Sequence, residues 1–138
     1  MSRTGYIDHI GIGVPDLAAT QRYYDALMPV LGLKPWFPTA ADGTFNYGPD
    51  GGRGSQLFFY QAIEAGDYSR DRTGLQHIAF MVASRAIVRE AHQWALAQGA
   101  EILHAPREFP EYGQHYATYW LDPHGFKLEA VCFDAEED

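Results

Sequence analysis

The sequence predicts an α+β fold built from two βαβββ modules. Three observations carry the prediction. The segment "YIDHIGIGV" (Tyr6–Val14) alternates, with Ile10, Ile12 and Val14 on one side and His9, Gly11 and Gly13 on the other, which is the period of a strand. Apolar residues at helical spacing follow (Leu17, Tyr24, Leu27, Leu31), then three short strand candidates. After a polar stretch the same order restarts, and the halves overlay. "IDHIGIGV" falls on "LQHIAFMV" with His9 over His77, an offset of 68, and "GSQLFFY" falls on "GFKLEAV". A repeat of about half the chain implies a duplicated module with internal two-fold symmetry, not a solenoid.

In the first module, about residues 6–63, Asp16 is placed to cap a helix over about Leu17–Met28. Pro29 lacks a backbone donor and should kink or end that helix, and Gly32 suits its C-terminus. "LKPWF", "GTFNYG" and "SQLFFYQ" are the next strands, with the turn-rich "PDGGRG" between the last two. Residues 64–73, "EAGDYSRDRT", are polar and aperiodic and read as a linker. In the second module, about 74–133, "LQHIAFMV" is a strand. Ser84 caps a helix whose inner face uses Val88, Ala91 and Ala95, and Gly99 ends it. "EILHAP", "HYATYWL" and "FKLEAVCF" are strands, "EFPEYGQ" is a loop and "DPHG" a turn. The expected organisation is a single domain of 138 residues. A chain of that length buries about 68–70% of its unfolded surface and needs no staples.

Composition narrows the function classes. Lys and Arg number 10 against 18 Asp and Glu, a formal charge of −8, and no K/R-rich run is present, so a nucleic-acid partner is not expected. The same acidity argues against an anionic membrane surface, and no apolar run approaches the roughly 18 residues of a membrane span. The ending "FDAEED" reads as a solvated, frayed tip. Cys132 is the single cysteine, so no internal disulfide is available, and "MSRTGYIDHIG" has no apolar signal core. A cytoplasmic protein is the expectation.

Chemistry concentrates on the repeat. A lone strand histidine is more often a satisfied core residue than a ligand. His9 and His77, however, occupy the same position in two related halves. Glu129 adds a carboxylate inside the strand "FKLEAVC", where burial is costly unless the group is paired or binds a metal. The competing reading is a wet strand face carrying Lys127 and Glu129. Two imidazoles and one carboxylate hold a divalent ion such as Fe(II), Mn(II), Zn(II) or Ni(II) with its charge only partly neutralised, leaving positions for substrate. Gly11, Gly13 and Ala79 share the histidine faces and would leave room beside them.

These residues resemble a known family. "HIGIGVPDL" opening one half, "HIAFMV" opening the other and the ending "YATYWLDPHGFKLEAV" are similar to the vicinal oxygen chelate superfamily. It is also called the glyoxalase/bleomycin-resistance/extradiol-dioxygenase fold. The resemblance spans about Tyr6 to Phe133 and implies a half-open eight-stranded barrel around a metal cavity. It also implies metal ligands on the first and fourth strands of each module. Carried over by position these are His9, His77 and Glu129, while the remaining position falls on Phe58, which cannot coordinate. That departs from the glyoxalase I and fosfomycin-resistance patterns. The triad that remains looks more like the extradiol dioxygenase set, whose acid–base residues have no evident match. Gln56 and Tyr60 flank Phe58 on one strand face and would serve if the register differed by two.

His115 and Tyr116 are the candidate acid–base or substrate-contact residues, with strand-end packing as the alternative. Gln56, Phe58, Tyr60 and Tyr112 are candidates for the substrate pocket. His92, His104 and His124 receive no role, and Cys132 has the wrong parity to face Glu129. The expectation is a divalent-metal-dependent enzyme on a small oxygen-bearing substrate, by lyase/isomerase or dioxygenase chemistry. The alternative is a bleomycin-resistance-like protein that binds a small molecule or drug without turnover. A homodimer is expected from the resemblance.

Overall fold

The alternating and helically spaced segments form, in order, β1 (His9–Val14), α1 (Leu17–Leu31), β2 (Leu33–Lys34), β3 (Phe45–Pro49), β4 (Gln56–Gln61), β5 (Ile78–Met81), α2 (Arg85–Ala97), β6 (Ile102–Glu108), β7 (Tyr116–Leu121) and β8 (Lys127–Cys132). The structure, a computed structural model, describes residues 4–64 and 66–134. The last four residues of the acidic ending, expected to be a frayed tip, lie outside the described residues. Contacts divide the chain into two units, Met1–Gly66 and Asp67–Asp138. Among the described residues each carries one α-helix and one open four-stranded sheet, ordered β1-β4-β3-β2 in the first and β5-β8-β7-β6 in the second, where a single 3-10 turn (Pro110–Tyr112) also precedes β7. The α+β class and the two βαβββ modules are therefore observed. No described helix is long and apolar enough to cross a membrane.

In the first unit Asp16 caps α1, its carboxylate accepting from the Ala19 amide at 3.0 Å. The helix runs past Pro29 to Leu31, longer than expected. A proline this close to the end forfeits only one helical bond. Gly32 then closes the helix at φ 89°, its amide donating to the carbonyls of Met28 and Pro29. Tyr24, Leu27 and Met28 are buried, and the ring of Tyr24 meets that of Phe59 at 4.7 Å. Burial of Leu27 and Met28 stabilises the unit by about 1.5–3 kcal/mol each.

Strand β2 is shorter than "LKPWF" suggests, for a local reason. The side-chain oxygen of Asn46 accepts from the amides of Trp36 (3.0 Å) and Phe37 (3.2 Å), and the Trp36 indole donates to the Pro49 carbonyl at 2.9 Å. A side chain thus replaces the ladder, and the backbone leaves the sheet after Lys34. Asn46→Ala would orphan both amides and should cost about 1–3 kcal/mol. A lowered urea midpoint at unchanged slope is expected, and an unchanged midpoint would show that water replaces the side chain without cost.

In the second unit Ser84 caps α2, accepting from the Ile87 amide at 3.3 Å. Val88, Ala91 and Ala95 are fully buried, with α2 against β6, β7 and β8. The strand "LQHIAFMV" is ordered as β5 only from Ile78, so His77 sits one residue before it. The "DPHG" turn is fixed by Asp122, whose Oδ1 accepts from the amides of His124 and Phe126, both at 2.9 Å. Gly125 sits at φ 101°, a conformation that side-chain-bearing residues rarely adopt. This turn sets the β7–β8 register, pairing Leu121 with Lys127, Tyr119 with Glu129 and Ala117 with Val131. Cys132 has the other parity and is buried.

Candidate functional site

Cross-strand partners share a sheet face, so the register places Ala79, Glu129 and Tyr119 side by side across β5, β8 and β7. Glu129 is 2% exposed. A carboxylate so deeply buried is stable only if its oxygens are satisfied. His77 Nε2 lies 3.2 Å from Oε1, and His115 Nε2 lies 2.8 Å from Oε2. The Tyr119 hydroxyl is 3.4 Å from the same His115 nitrogen. Burial first, and then its hydrogen bond to Glu129, hold the Tyr119 hydroxyl well above the ordinary phenol range. It is therefore a proton-bearing donor throughout the neutral range.

The second nitrogens of the two imidazoles are informative. His115 Nδ1 is buried with no hydrogen-bond partner. His77 Nδ1 faces the side-chain oxygen of Gln76 at 2.5 Å. With that amide orientation both nitrogens of His77 face oxygen acceptors, yet a neutral imidazole has one N–H. Turning the Gln76 amide over puts its NH2 against Nδ1, so a neutral ring that donates from Nε2 to Glu129 satisfies both contacts. An imidazole nitrogen and a carboxylate oxygen are donor types that a divalent ion would take, and the 3.2 Å between them is close enough for one ion to use both. The donor types and their spacing fit two positions of a divalent-ion site. Among the described residues no three His, Cys, Asp or Glu side chains gather as a ligand group.

Aromatic rings surround His115: Tyr112 and Phe133 at 5.3 Å and Phe109 at 5.8 Å. Tyr116 is adjacent to His115 in sequence and so points to the other face of the strand, where the Arg85 guanidinium lies 4.7 Å over its ring. The structure thus sets Glu129 against His77 through one oxygen and His115 through the other, puts Tyr112 beside His115, and places Tyr116 apart from them. Tyr119 belongs to the group without having been singled out in the sequence.

The remaining candidates lie in the first unit. Parallel pairing of β1 with β4 sets His9 against Gln56, Gly11 against Phe58 and Gly13 against Tyr60. Ala79 stands two residues after His77 and pairs with Glu129, as Gly11 stands two after His9 and pairs with Phe58. Phe58 therefore holds in β4 the register position that Glu129 holds in β8. Its ring meets His9 edge-on at 5.4 Å and stacks toward Tyr60 at 6.3 Å. His9 Nδ1 lies 2.8 Å from Asp8, and the side-chain oxygen of Gln56 is buried without a partner. The space at Gly11 is not open as expected, because a Cβ there would come within 2.9 Å of the Tyr60 ring. The glycine lets that ring lie across β1.

Tyr47 and Tyr119 also bear on stability. Burial pushes both hydroxyls up from 10.0, Tyr47 with help from its 2.7 Å bond to Asp25. A phenol with a raised folded-state pKa stabilises the fold fully below the unfolded pKa and loses that contribution as pH rises beyond it. The urea midpoint should therefore fall from about pH 10 upward, and less steeply in Tyr47→Phe. Equal slopes in the two proteins would refute the assignment to Tyr47.

The fold and the residues agree with known proteins. The profile of the Glyoxalase/Bleomycin resistance protein/Dioxygenase superfamily matches residues 8–119. The chain is similar to the uncharacterized protein YqjT of Bacillus subtilis, 27% identical over 131 residues, covering 90% of this chain and 96% of that one. The crystal structure of a candidate glyoxalase from Bacillus halodurans superposes with a TM-score of 0.77 at 29% identity, over 94% of this chain and 96% of its own. A glyoxalase/dioxygenase from Nostoc punctiforme shares the fold with a TM-score of 0.75 at 22% identity, over 97% and 94%. With its paired modules, and with the profile match running through both from β1 into β7, this chain belongs to the Glyoxalase/Bleomycin resistance protein/Dioxygenase superfamily.

Proposed function

We propose that this protein is a divalent-metal-dependent enzyme of the vicinal oxygen chelate type, acting on a small oxygen-bearing substrate by lyase/isomerase or dioxygenase chemistry. The observation that supports it is Glu129, a buried carboxylate met by imidazole nitrogens from two other segments of its unit. His77 and Glu129 are the proposed ligands. The sequence repeat alone adds His9 to the set, and loss of metal in His9→Ala tests that addition independently. A bound divalent ion (Fe, Mn, Zn or Ni) supplies positive charge that holds two substrate oxygens and stabilises negative charge developing on them.

The chain's own residues do the rest. Glu129 fixes the ring orientations of His77 and His115 through its two oxygens. Tyr119 stays protonated and donates, and His115, within reach of both Tyr119 and Glu129, holds or moves a proton at Nε2. The rings of Tyr112, Phe109 and Phe133 limit water around His115.

The first unit favours a second reading. The stacked Phe58 and Tyr60 rings beside His9 suit a flat ligand, as a bleomycin-resistance-like binder requires. Metal analysis of protein purified without chelator, followed by a substrate panel with the retained metal, separates the two. Metal-free protein whose stability does not respond to added Fe(II), Mn(II), Ni(II) or Zn(II) would overturn the enzyme reading. The same proposal includes a cytoplasmic homodimer. Light scattering should give about twice the 15.5 kDa chain mass, and a value near 15.5 kDa would exclude the dimer.

A further inference from the structure

The acid-rich chain, with its formal charge of −8, keeps two cations on the candidate face. Arg107 on β6 pairs with Ala117, and Lys127 on β8 pairs with Leu121. Both partners share the strand parity of Tyr119, so Arg107, Tyr119, Lys127 and Glu129 stand on one face of the second-unit sheet. Each cation lies over an aromatic ring. The Arg107 guanidinium is 3.8 Å from the Phe109 ring centre, and Lys127 Nζ is 5.0 Å from that of Tyr119. Those two rings are themselves in contact at 5.3 Å.

Neither cation is matched to a carboxylate among the described residues. The one hydrogen bond of the Arg107 guanidinium goes to the Glu108 carbonyl, and the Glu108 carboxylate is taken by Arg85. Arg107 acts on the Tyr119 hydroxyl electrostatically, partly opposing its upward shift. Aromatic faces hold these cations in place without neutralising them. A protein of strongly negative net charge repels small anions at long range, so local uncompensated cations matter for anion capture.

We propose that the substrate of this site is an organic anion, carrying a carboxylate in addition to the oxygens it presents to the metal, and that Arg107 and Lys127, set on either side of β7 and four residues apart along it, favour that charge from opposite ends of the face. This rests on the enzyme reading above and adds the substrate's charge class. Arg107 offers a planar fork for two carboxylate oxygens, while Lys127 offers a point charge. Because both are at least partly exposed, the preference they create should weaken with salt.

The test compares two probes with the same vicinal oxygens, protocatechuate with a carboxylate and catechol without, by calorimetric titration into metal-loaded and metal-free protein. Protocatechuate is expected to bind about tenfold or more tightly than catechol, with the advantage shrinking as salt is raised. The double variant Arg107→Gln/Lys127→Gln should lose the advantage while catechol affinity stays unchanged, and Arg107→Lys/Lys127→Arg should restore part of it. Absence of a protocatechuate preference, whether both probes bind equally or neither binds, overturns the inference, as does a preference that survives in the Gln variant. Metal retention in the same samples reports separately on the enzyme reading.

Discussion

Replacing Glu129 by alanine should strip the protein of metal and weaken the second unit. Among the described residues Glu129 is the only carboxylate set against both His77 and His115, using one oxygen for each. Removing it leaves two imidazole nitrogens facing a cavity. His115 is 12% exposed in its side chain and bears most of that cost, whereas His77 is 36% exposed and can reach water. A destabilisation of about 1–3 kcal/mol is expected, set mainly by the orphaned His115. The effect on metal should be larger, because the anionic ligand supplies most of the charge that holds a divalent ion. Affinity should fall more than the roughly 10–100-fold seen when only an outer-shell partner is lost. Elemental analysis of protein purified without chelator measures the first effect and urea unfolding the second. Near-stoichiometric metal persisting in Glu129→Ala would falsify the ligand assignment. Glu129→Gln keeps the volume and one acceptor, so a stable but metal-free Gln variant would separate coordination from packing.

The geometry around Glu129 was partly legible in the sequence, and the part that was not has definable causes. Parity along one strand is readable, which is why Glu129 and Cys132 could be assigned to opposite faces. Parity across strands needs the register, and the register of β7 on β8 is set by the Asp122 turn. Counting symmetrically outward from "DPHG" sets Tyr119 opposite Leu128, and only the closure of the turn between Asp122 and Phe126 moves the count by one and brings Tyr119 opposite Glu129. Adjacent residues on a strand face opposite ways, which is why His115 and Tyr116 could not both join the group. Arg107 was hidden for another reason. Strand β6 changes register between Ile102 and His104 and again between His104 and Arg107, so alternation counted from "EILHAP" fails before it reaches Arg107. The early end of β2 was equally hidden, because it depends on Asn46 accepting from residues ten and nine positions earlier. The paired modules, by contrast, follow from local periodicity and the repeat, both properties of the sequence itself.

His115→Gln should lower kcat about 10²–10⁴-fold on any substrate the native protein turns over, the usual worth of a positioned acid–base group. Glutamine retains an N–H that can still donate to Glu129 Oε2, so the carboxylate keeps its partner and metal content should stay near the native level. What glutamine cannot do is exchange a proton at neutral pH. The substitution therefore separates two roles that alanine would remove together: holding Glu129 at 2.8 Å and carrying the proton. Tyr119→Phe should have the smaller effect, since it removes a donor 3.4 Å from His115 Nε2 and leaves the imidazole in place. Substrate contacts made elsewhere are untouched, so KM should move little in His115→Gln while kcat falls, the pattern of an interaction made in the transition state alone. A His115→Gln enzyme with native kcat and native metal would assign His115 to positioning Glu129 and nothing more. The proton would then have to move through another group on the same face, and Tyr119 is the one within reach.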